Sequence, residues 1–327
     1  MLNFIKNIWS PHVYHGGENK KDYFEGWFYK LVGREGKPII AAINGIYKSE
    51  DKDREHAFIQ VLNGISHEAH YIRYDAGDFA YDNSNFKIQI GESIFTQESI
   101  DLDIRCADIT LEGRVNFKNL SPWPVKIFSP GVMGWYAFVP FMECNHGVLS
   151  MDHKIEGSLK LNGVSQNFDD GRGYIEKDWG SSFPGSYVWM QSNNFNLEGV
   201  SLSASIAKIP WIGYWFRGFI IGLLINGTLY RFTTYTGAKL NYLKILENRA
   251  SFQVEDKKFI LTAEATRKDT AIIYGPYNNE MVPKVTESLN SEIFVRLNDK
   301  KNNTALFEGR GLHAGLDING TVEEIVD

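Results

Sequence analysis

Three carboxylates, Glu25, Glu176 and Asp178, sit among large aromatic side chains, and two of them share one stretch. Asp170 to Phe195 reads DGRGYIEKDWGSSFPGSYVWMQSNNF. If Gly173 to Trp179 is an extended strand, side chains two apart share a face, and Tyr174, Glu176 and Asp178 point the same way. The same rule lines up Tyr187, Trp189, Gln191 and Asn193 in the run from Ser186 to Asn194. Ligand cavities combine aromatic walls with a few polar groups in this manner. Core aromatics with polar residues capping a sheet edge would give the same spacing. Upstream, Tyr23, Glu25 and Trp27 fall on one face of a third run. Two bulky neighbours should desolvate Glu25, which disfavours its charged form, raises its pKa and suits a general acid. A glutamate that accepts hydrogen bonds at a strand end is the alternative.

Other chemistries find less support. His146 and His153 are seven residues apart and point to opposite faces of a regular strand, which argues against one zinc site. Cys144 and His146 suggest a thiolate–imidazole pair, but side chains two apart on a strand are roughly 7 Å apart, too far for a direct hydrogen bond. The sequence lacks a serine-hydrolase elbow, a P-loop and a dinucleotide fingerprint. Gly171-Arg172-Gly173 is no phosphate loop, because no strand-to-helix transition follows it. The net charge of −6 argues against nucleic acid as a partner and gives no pull toward anionic lipid. Cys106 and Cys144, far apart and without metal spacing, read as free thiols of a reducing compartment.

These residues need strands to hold them, and the chain is written in strands. Aromatic residues make up 14% of it, and its 30 glycines punctuate many short apolar runs, a composition that suits antiparallel sheet. Ile100-Asp101-Leu102-Asp103-Ile104 alternates strictly, giving one dry face and one wet face. Asn162-Gly163 and Asn226-Gly227 are hairpin turns, and Asp256-Lys257 is a further tight turn. Ser121-Pro122-Trp123-Pro124 interrupts the pattern. The best helical candidate, Asn241 to Arg249, is short. Many short, evenly spaced strands imply sandwiches or barrels, and a length of 327 residues suggests two. The boundary is placed at Phe183-Pro184-Gly185, giving domains 1–183 and 184–327. That turn could fold the runs on either side toward each other, bringing Glu176 and Asp178 to Trp189 and Gln191 around one pocket. A Tyr-x-Glu-x-Trp echo between Tyr23–Trp27 and Tyr174–Trp179, broken by one inserted residue, hints at duplication. The N-terminal stretch lacks the continuous apolar core of a signal peptide, and Ile209 to Ile225 is too interrupted to span a bilayer. The expectation is a soluble, cytoplasmic protein that touches membranes transiently through Trp211, Trp215 and Phe216.

YFEGWFYK (Tyr23–Lys30), PGVMGWYAFVPFMECNHGVLSMDH (Pro130–His153) and GRGYIEKDWGSSFPGSYVWMQSNNF (Gly171–Phe195) together resemble the tocopherol cyclase family. The resemblance spans most of residues 20–200. It implies an all-β fold of tandem lipocalin-like (calycin-like) antiparallel barrels and a lipophilic isoprenoid substrate such as a prenylated hydroquinone. The implied reaction protonates a trisubstituted alkene, and the phenol oxygen traps the tertiary cation. No metal or redox cofactor is required. Such chemistry needs a carboxylic acid kept protonated, and burial can raise a carboxyl pKa by up to ~3–5 units. Aromatic faces stabilise a cation by roughly 0.5–2 kcal/mol each. Glu25, Glu176 and Asp178 are the candidate acids, and Tyr23, Trp27, Trp135, Trp179 and Trp189 the candidate walls. His146, Gln191 and Asn193 complete the candidate binding set, the last two as holders of quinol hydroxyls. Glu176 and Asp178 could instead pair with Lys177 or Arg172 as structural ions. A non-catalytic lipocalin-type carrier, or a hydratase or isomerase of another isoprenoid, stays open.

Overall fold

Runs of Val, Ile, Tyr and Phe broken by turn residues become strands along nearly the whole chain. The computed structural model describes residues 7–17 and 20–326, so residues 1–6 of the N-terminal stretch lie outside it. The first twelve strands are β1 (Tyr23–Val32), β2 (Ile39–Lys48), β3 (His56–Asn63), β4 (Ala69–Tyr74), β5 (Phe79–Asp82), β6 (Lys87–Ile90), β7 (Ser93–Thr96), β8 (Ser99–Arg105), β9 (Thr110–Lys118), β10 (Cys144–Leu161), β11 (Val164–Asn167) and β12 (Gly171–Gly180). They form one antiparallel sheet in the order β4-β3-β2-β1-β12-β10-β9-β8-β7-β6-β5, with β11 paired to β10. Although β3 and β6 stand near opposite ends of that path, they contact each other, so the sheet curls back around its core. That core holds Trp27, Tyr29, Ile59, Phe95, Leu102, Phe117 and Ile175.

The remaining strands are β13 (Ser186–Ser192), β14 (Asn194–Phe195), β15 (Val200–Trp211), β16 (Tyr214–Ile225), β17 (Thr228–Thr233), β18 (Lys239–Leu246), β19 (Arg249–Glu255), β20 (Phe259–Thr266), β21 (Ala271–Tyr277), β22 (Glu280–Asp299) and β23 (Thr304–Gly320). The second sheet runs β17-β16-β15-β13-β23-β22-β20-β19-β18, with β14 on β23 and β21 on β22. Val188, Leu202, Ile221, Phe252, Val295 and Leu316 belong to its core. The fold is all-β and lipocalin-like, in two antiparallel sheets, with short 3-10 turns between strands.

By compactness, residues 1–183 and 273–284 form one unit, and residues 184–272 and 285–327 the other. The chain therefore changes unit at Phe183/Pro184, and the β21–β22 hairpin returns to the first unit. There Gln60, buried in β3, accepts the Tyr274 N–H (2.6 Å) and donates to the Tyr274 carbonyl (3.2 Å), while Tyr71 and Tyr274 stack at 4.1 Å.

Asn162 and Asn226 adopt positive φ (47° and 46°) before Gly163 and Gly227, as two-residue hairpin turns demand. The helix expected from Asn241 to Arg249 is instead β18, its end and the turn into β19. Tyr242, Leu243 and Ile245 pair with the β19 residues Gln253, Phe252 and Ala250, and pairing of a half-buried strand outweighs a short helical pattern. The Phe183-Pro184-Gly185 turn does not make a hairpin. β12 pairs with β1 and β10, and β13 pairs with β15 and β23.

Candidate active site

Alternation on β1 and β12 fixes which side chains can meet. The register sets Glu25 opposite Trp179 and Trp27 opposite Lys177. Those four side chains face the core, and the intervening Tyr174, Glu176 and Asp178 face the other way. The sheet thus carries two polar clusters, one on each face.

On the inner face Glu25 is fully buried. Its carboxylate accepts the His15 N–H (2.8 Å), the Gly16 N–H (2.9 Å) and the Tyr23 hydroxyl (2.6 Å), and it pairs with the Lys177 ammonium at 2.5 Å. Lys177 also donates to the carbonyls of Val13 and Pro11 and to His15 Nδ1 (2.7 Å). Its charge lies over the rings of Trp179 (4.5 Å) and Trp27 (4.9 Å). His15 stacks on Trp179, and Trp27 Nε1 donates to the His12 carbonyl. Residues 11–16 are thereby pinned against the core face.

Burial alone would raise the Glu25 pKa, but the Lys177 charge and the bonds from His15 and Lys177 outweigh it and bring it to about 2. Burial lowers Lys177 to about 8 against the opposing pull of Glu25, so the pair is ionic at neutral pH. This corrects the expectation of a raised pKa at Glu25: a carboxylate with four donors cannot serve as a proton donor to an alkene. Trp27 and Trp179 are likewise committed to this cluster, on the face opposite Glu176 and Asp178.

On the other face Tyr174 donates to Glu176 (2.6 Å), repeating across the sheet the Tyr23–Glu25 bond. β10 brings His146 opposite Asp178. His146 Nδ1 lies 2.8 Å from Asp178 Oδ1, and Nε2 lies 3.7 Å from Glu176 Oε2. Burial lowers the imidazole pKa, but the charge and hydrogen bond of Asp178 and the charge of Glu176 overcome it, raising it to about 9. At neutral pH His146 is therefore an imidazolium, beside the carboxyl groups of Asp178 and Glu176. Glu176 is 5% exposed, which is uncommon for an acid facing away from its own hydrophobic core. The three ligand atoms lie within 4.8 Å of one another, a spacing that a divalent cation could bridge. A cation there would have to displace the proton that His146 shares with Asp178. Burial, with Asp178, Glu143 and Glu176 nearby, pushes the Cys144 thiol well up, leaving it protonated and unsuited to nucleophilic attack. His153 is apart from this cluster, bonded to Ser150 Oγ at 3.0 Å.

In the second unit Val188 and Met190 enter the core, so Tyr187, Trp189 and Gln191 face away from it. Trp189 packs over Gly315, where an added Cβ would meet its ring at 2.5 Å. Asn193 Oδ1 accepts from Asn194 Nδ2 (3.1 Å) and lies at the limit of reach of Gln191 Nε2 (3.5 Å). Glu287 and Asp317, register partners on β22 and β23, are buried on this same non-core face. Trp135 lies on a 3-10 turn, 45% exposed and stacked on Tyr136. Sequence reasoning missed the roles of Lys177 and His15, which arise from pairing across long separations. It also missed Glu287 and Asp317, which have no aromatic neighbours at strand spacing to mark them. The Tyr-x-Glu spacing did mark Tyr174.

The family model described as Tocopherol cyclase-like matches residues 110–320, well over half of the chain. The chain belongs to this family. Within it, a Zea mays protein named "Tocopherol cyclase, chloroplastic" is 26% identical over 174 residues, covering 51% of this chain and 36% of that protein. An Oryza sativa subsp. japonica protein named "Probable tocopherol cyclase, chloroplastic" is 25% identical over 197 residues, covering 57% of this chain and 42% of its own. The chain thus spans under half the length of these relatives. Solved structures share the tocopherol cyclase-like fold at low identity. CghA with Sch210972 aligns with a TM-score of 0.57 at 8% identity, covering 91% of this chain and 88% of that one. Kievitone hydratase from Nectria haematococca aligns with a TM-score of 0.51 at 10% identity, covering 92% and 90%. β10 and β12, which build the His146–Glu176–Asp178 cluster, both lie within the matched residues.

Proposed function

We propose that this protein is a cyclase- or isomerase-type enzyme acting on a lipophilic isoprenoid, with a prenylated hydroquinone as the substrate class. The observation that carries the reading is the imidazolium–dicarboxylate cluster on the non-core face of β10 and β12, in a chain of the tocopherol cyclase-like family. In this reading the proton that the His146 imidazolium shares with Asp178 and Glu176 passes through one of these carboxyls to the trisubstituted alkene. The new C–H bond leaves a tertiary cation. The phenol oxygen attacks it, the C–O bond closes the ring, and the phenolic proton returns to the carboxylate. Nothing is gained or lost overall, and the negative charges of Asp178 and Glu176 beside His146 hold that proton on the cluster between turnovers. Tyr174, bonded to Glu176, fixes the orientation of that acid. For Trp189, Gln191 and Asn193 we retain a binding role, toward the ring and its hydroxyls.

The test is incubation of the protein with prenylated hydroquinones, followed by mass and retention analysis of the products. Cyclisation gives an isomer of unchanged mass, and addition of water gives a product one water heavier. Glu176→Gln and Asp178→Asn should each lower turnover by about 10²-fold or more, the usual range for loss of a general acid. Variants that keep substrate binding and turnover would reassign the acid. Binding without any product from the wild-type protein would favour the carrier.

A further inference from the structure

The segment between Ser121 and Met142 contains one charged residue, Lys126. It is also among the most exposed apolar stretches of the chain. Lys126 and Ser129 bridge each other through reciprocal backbone hydrogen bonds, placing Ile127 and Phe128 at the tip of a two-residue turn. Such tips normally carry Asn, Asp or Gly, as at Asn162-Gly163 and Asn226-Gly227 of this chain. Here the tip residues are 71% and 86% exposed, and Val125 beside them is 43% exposed. The tip is held from behind. Trp9 Nε1 donates to the Ile127 carbonyl at 3.0 Å, and the Trp9 ring packs edge-on against Phe138 at 5.6 Å. Trp9 and Phe138 are themselves partly exposed.

We infer that this turn is a lipid-docking element that inserts Ile127 and Phe128 into the interfacial region of a phospholipid bilayer. Three observations favour lipid over a protein partner. A two-residue tip with three apolar neighbours is far smaller than the ~800 Å² per partner of a stable protein interface, whereas bilayer insertion scales with whatever apolar area is buried. Trp and Phe behind Ile and Phe match the preference of aromatic rings for the headgroup level. The one charge, exposed Lys126, is a cation placed to meet lipid phosphates, in a chain whose net charge is −6. This inference does not depend on the cyclase reading. It also differs from the contact expected at the β15–β16 tip of the second unit, where Ile212, Tyr214 and Trp215 are exposed.

The test is flotation of the purified full chain with phosphatidylcholine vesicles, with and without phosphatidylglycerol. Ile127→Ser/Phe128→Ser should lower the vesicle-bound fraction at least about tenfold while leaving the melting temperature unchanged, since both side chains are exposed. Phe128→Trp, which keeps an apolar tip, should retain binding and show quenching by brominated lipid. Wild-type protein that stays in solution overturns the inference. So does unchanged flotation of the serine variant, or binding lost in Trp211→Ala/Trp215→Ala but not in the serine variant. Loss of self-association in the serine variant, measured by light scattering without lipid, would assign the tip to a protein partner instead.

Discussion

Glu25 and Glu176 each accept a hydroxyl from a tyrosine two residues upstream, yet one lies beside a buried ammonium and the other beside an imidazole. Glu25 faces Lys177 in a sealed core and is held ionised. Replacing Lys177 by Met leaves that carboxylate buried without its main counter-charge and should cost about 3–5 kcal/mol, read as a large fall in the urea midpoint. Adding Glu25→Gln to Lys177→Met should recover part of the loss, because the unpaired charge disappears with it. His146 supplies the second residue-scale prediction. Its folded pKa of about 9 lies above the ordinary value of 6.5, so its contribution to stability is fully present below about pH 6.5 and is lost as pH rises through about 9. The stability gap between the wild-type protein and His146→Gln should therefore be widest near pH 6 and narrow toward pH 9. A gap that widens on the alkaline side would show that the imidazole is not held as a cation.

At the scale of elements, the site depends on close approach between β1 and β2. A Cβ on Gly45 would lie 2.4 Å from the Glu25 carbonyl and 2.6 Å from the Phe58 ring. Gly45→Ala should destabilise the chain by roughly 1–3 kcal/mol through forced backbone shift, measured by thermal melting. Much of this scale was legible beforehand. Period-two alternation and Asn-Gly turns marked the strands, and the same alternation put Glu176 with Asp178 and Tyr23 with Glu25. What alternation could not reveal is which face of a strand turns to the core. β1 and β3 are buried on both faces, so their sequences give no dry and wet side to choose between. That is why Trp27 and Trp179 were grouped with acids that lie across the sheet from them. The raised pKa expected at Glu25 failed for a related reason. Desolvation is readable from local neighbours, but Lys177 is far along the chain and meets Glu25 only through the β1–β12 pairing. The short pattern at Asn241 to Arg249 misled because strand partners decide short segments.

For the whole molecule, the return of residues 273–284 to the first unit sets a limit on dissection. A fragment of residues 1–183 loses the Tyr274 N–H and carbonyl that bond buried Gln60, and one of the rings stacked on Tyr71. It should melt at a lower temperature than the first transition of the full chain, and Gln60→Leu should reduce that difference by removing the orphaned amide. Among the described residues no helix is long and apolar enough to cross a membrane. The central claim remains the transfer of a proton from the His146–Glu176–Asp178 cluster to a carbon atom, and one measurement reaches it directly. With a prenylated hydroquinone as substrate in D₂O, the cyclised product should carry a single carbon-bound deuterium at the former alkene position. Glu176→Gln and Asp178→Asn should slow its appearance in proportion to turnover. A cyclised product without carbon-bound deuterium, or deuterium incorporation unaffected by both amide substitutions, would contradict the account.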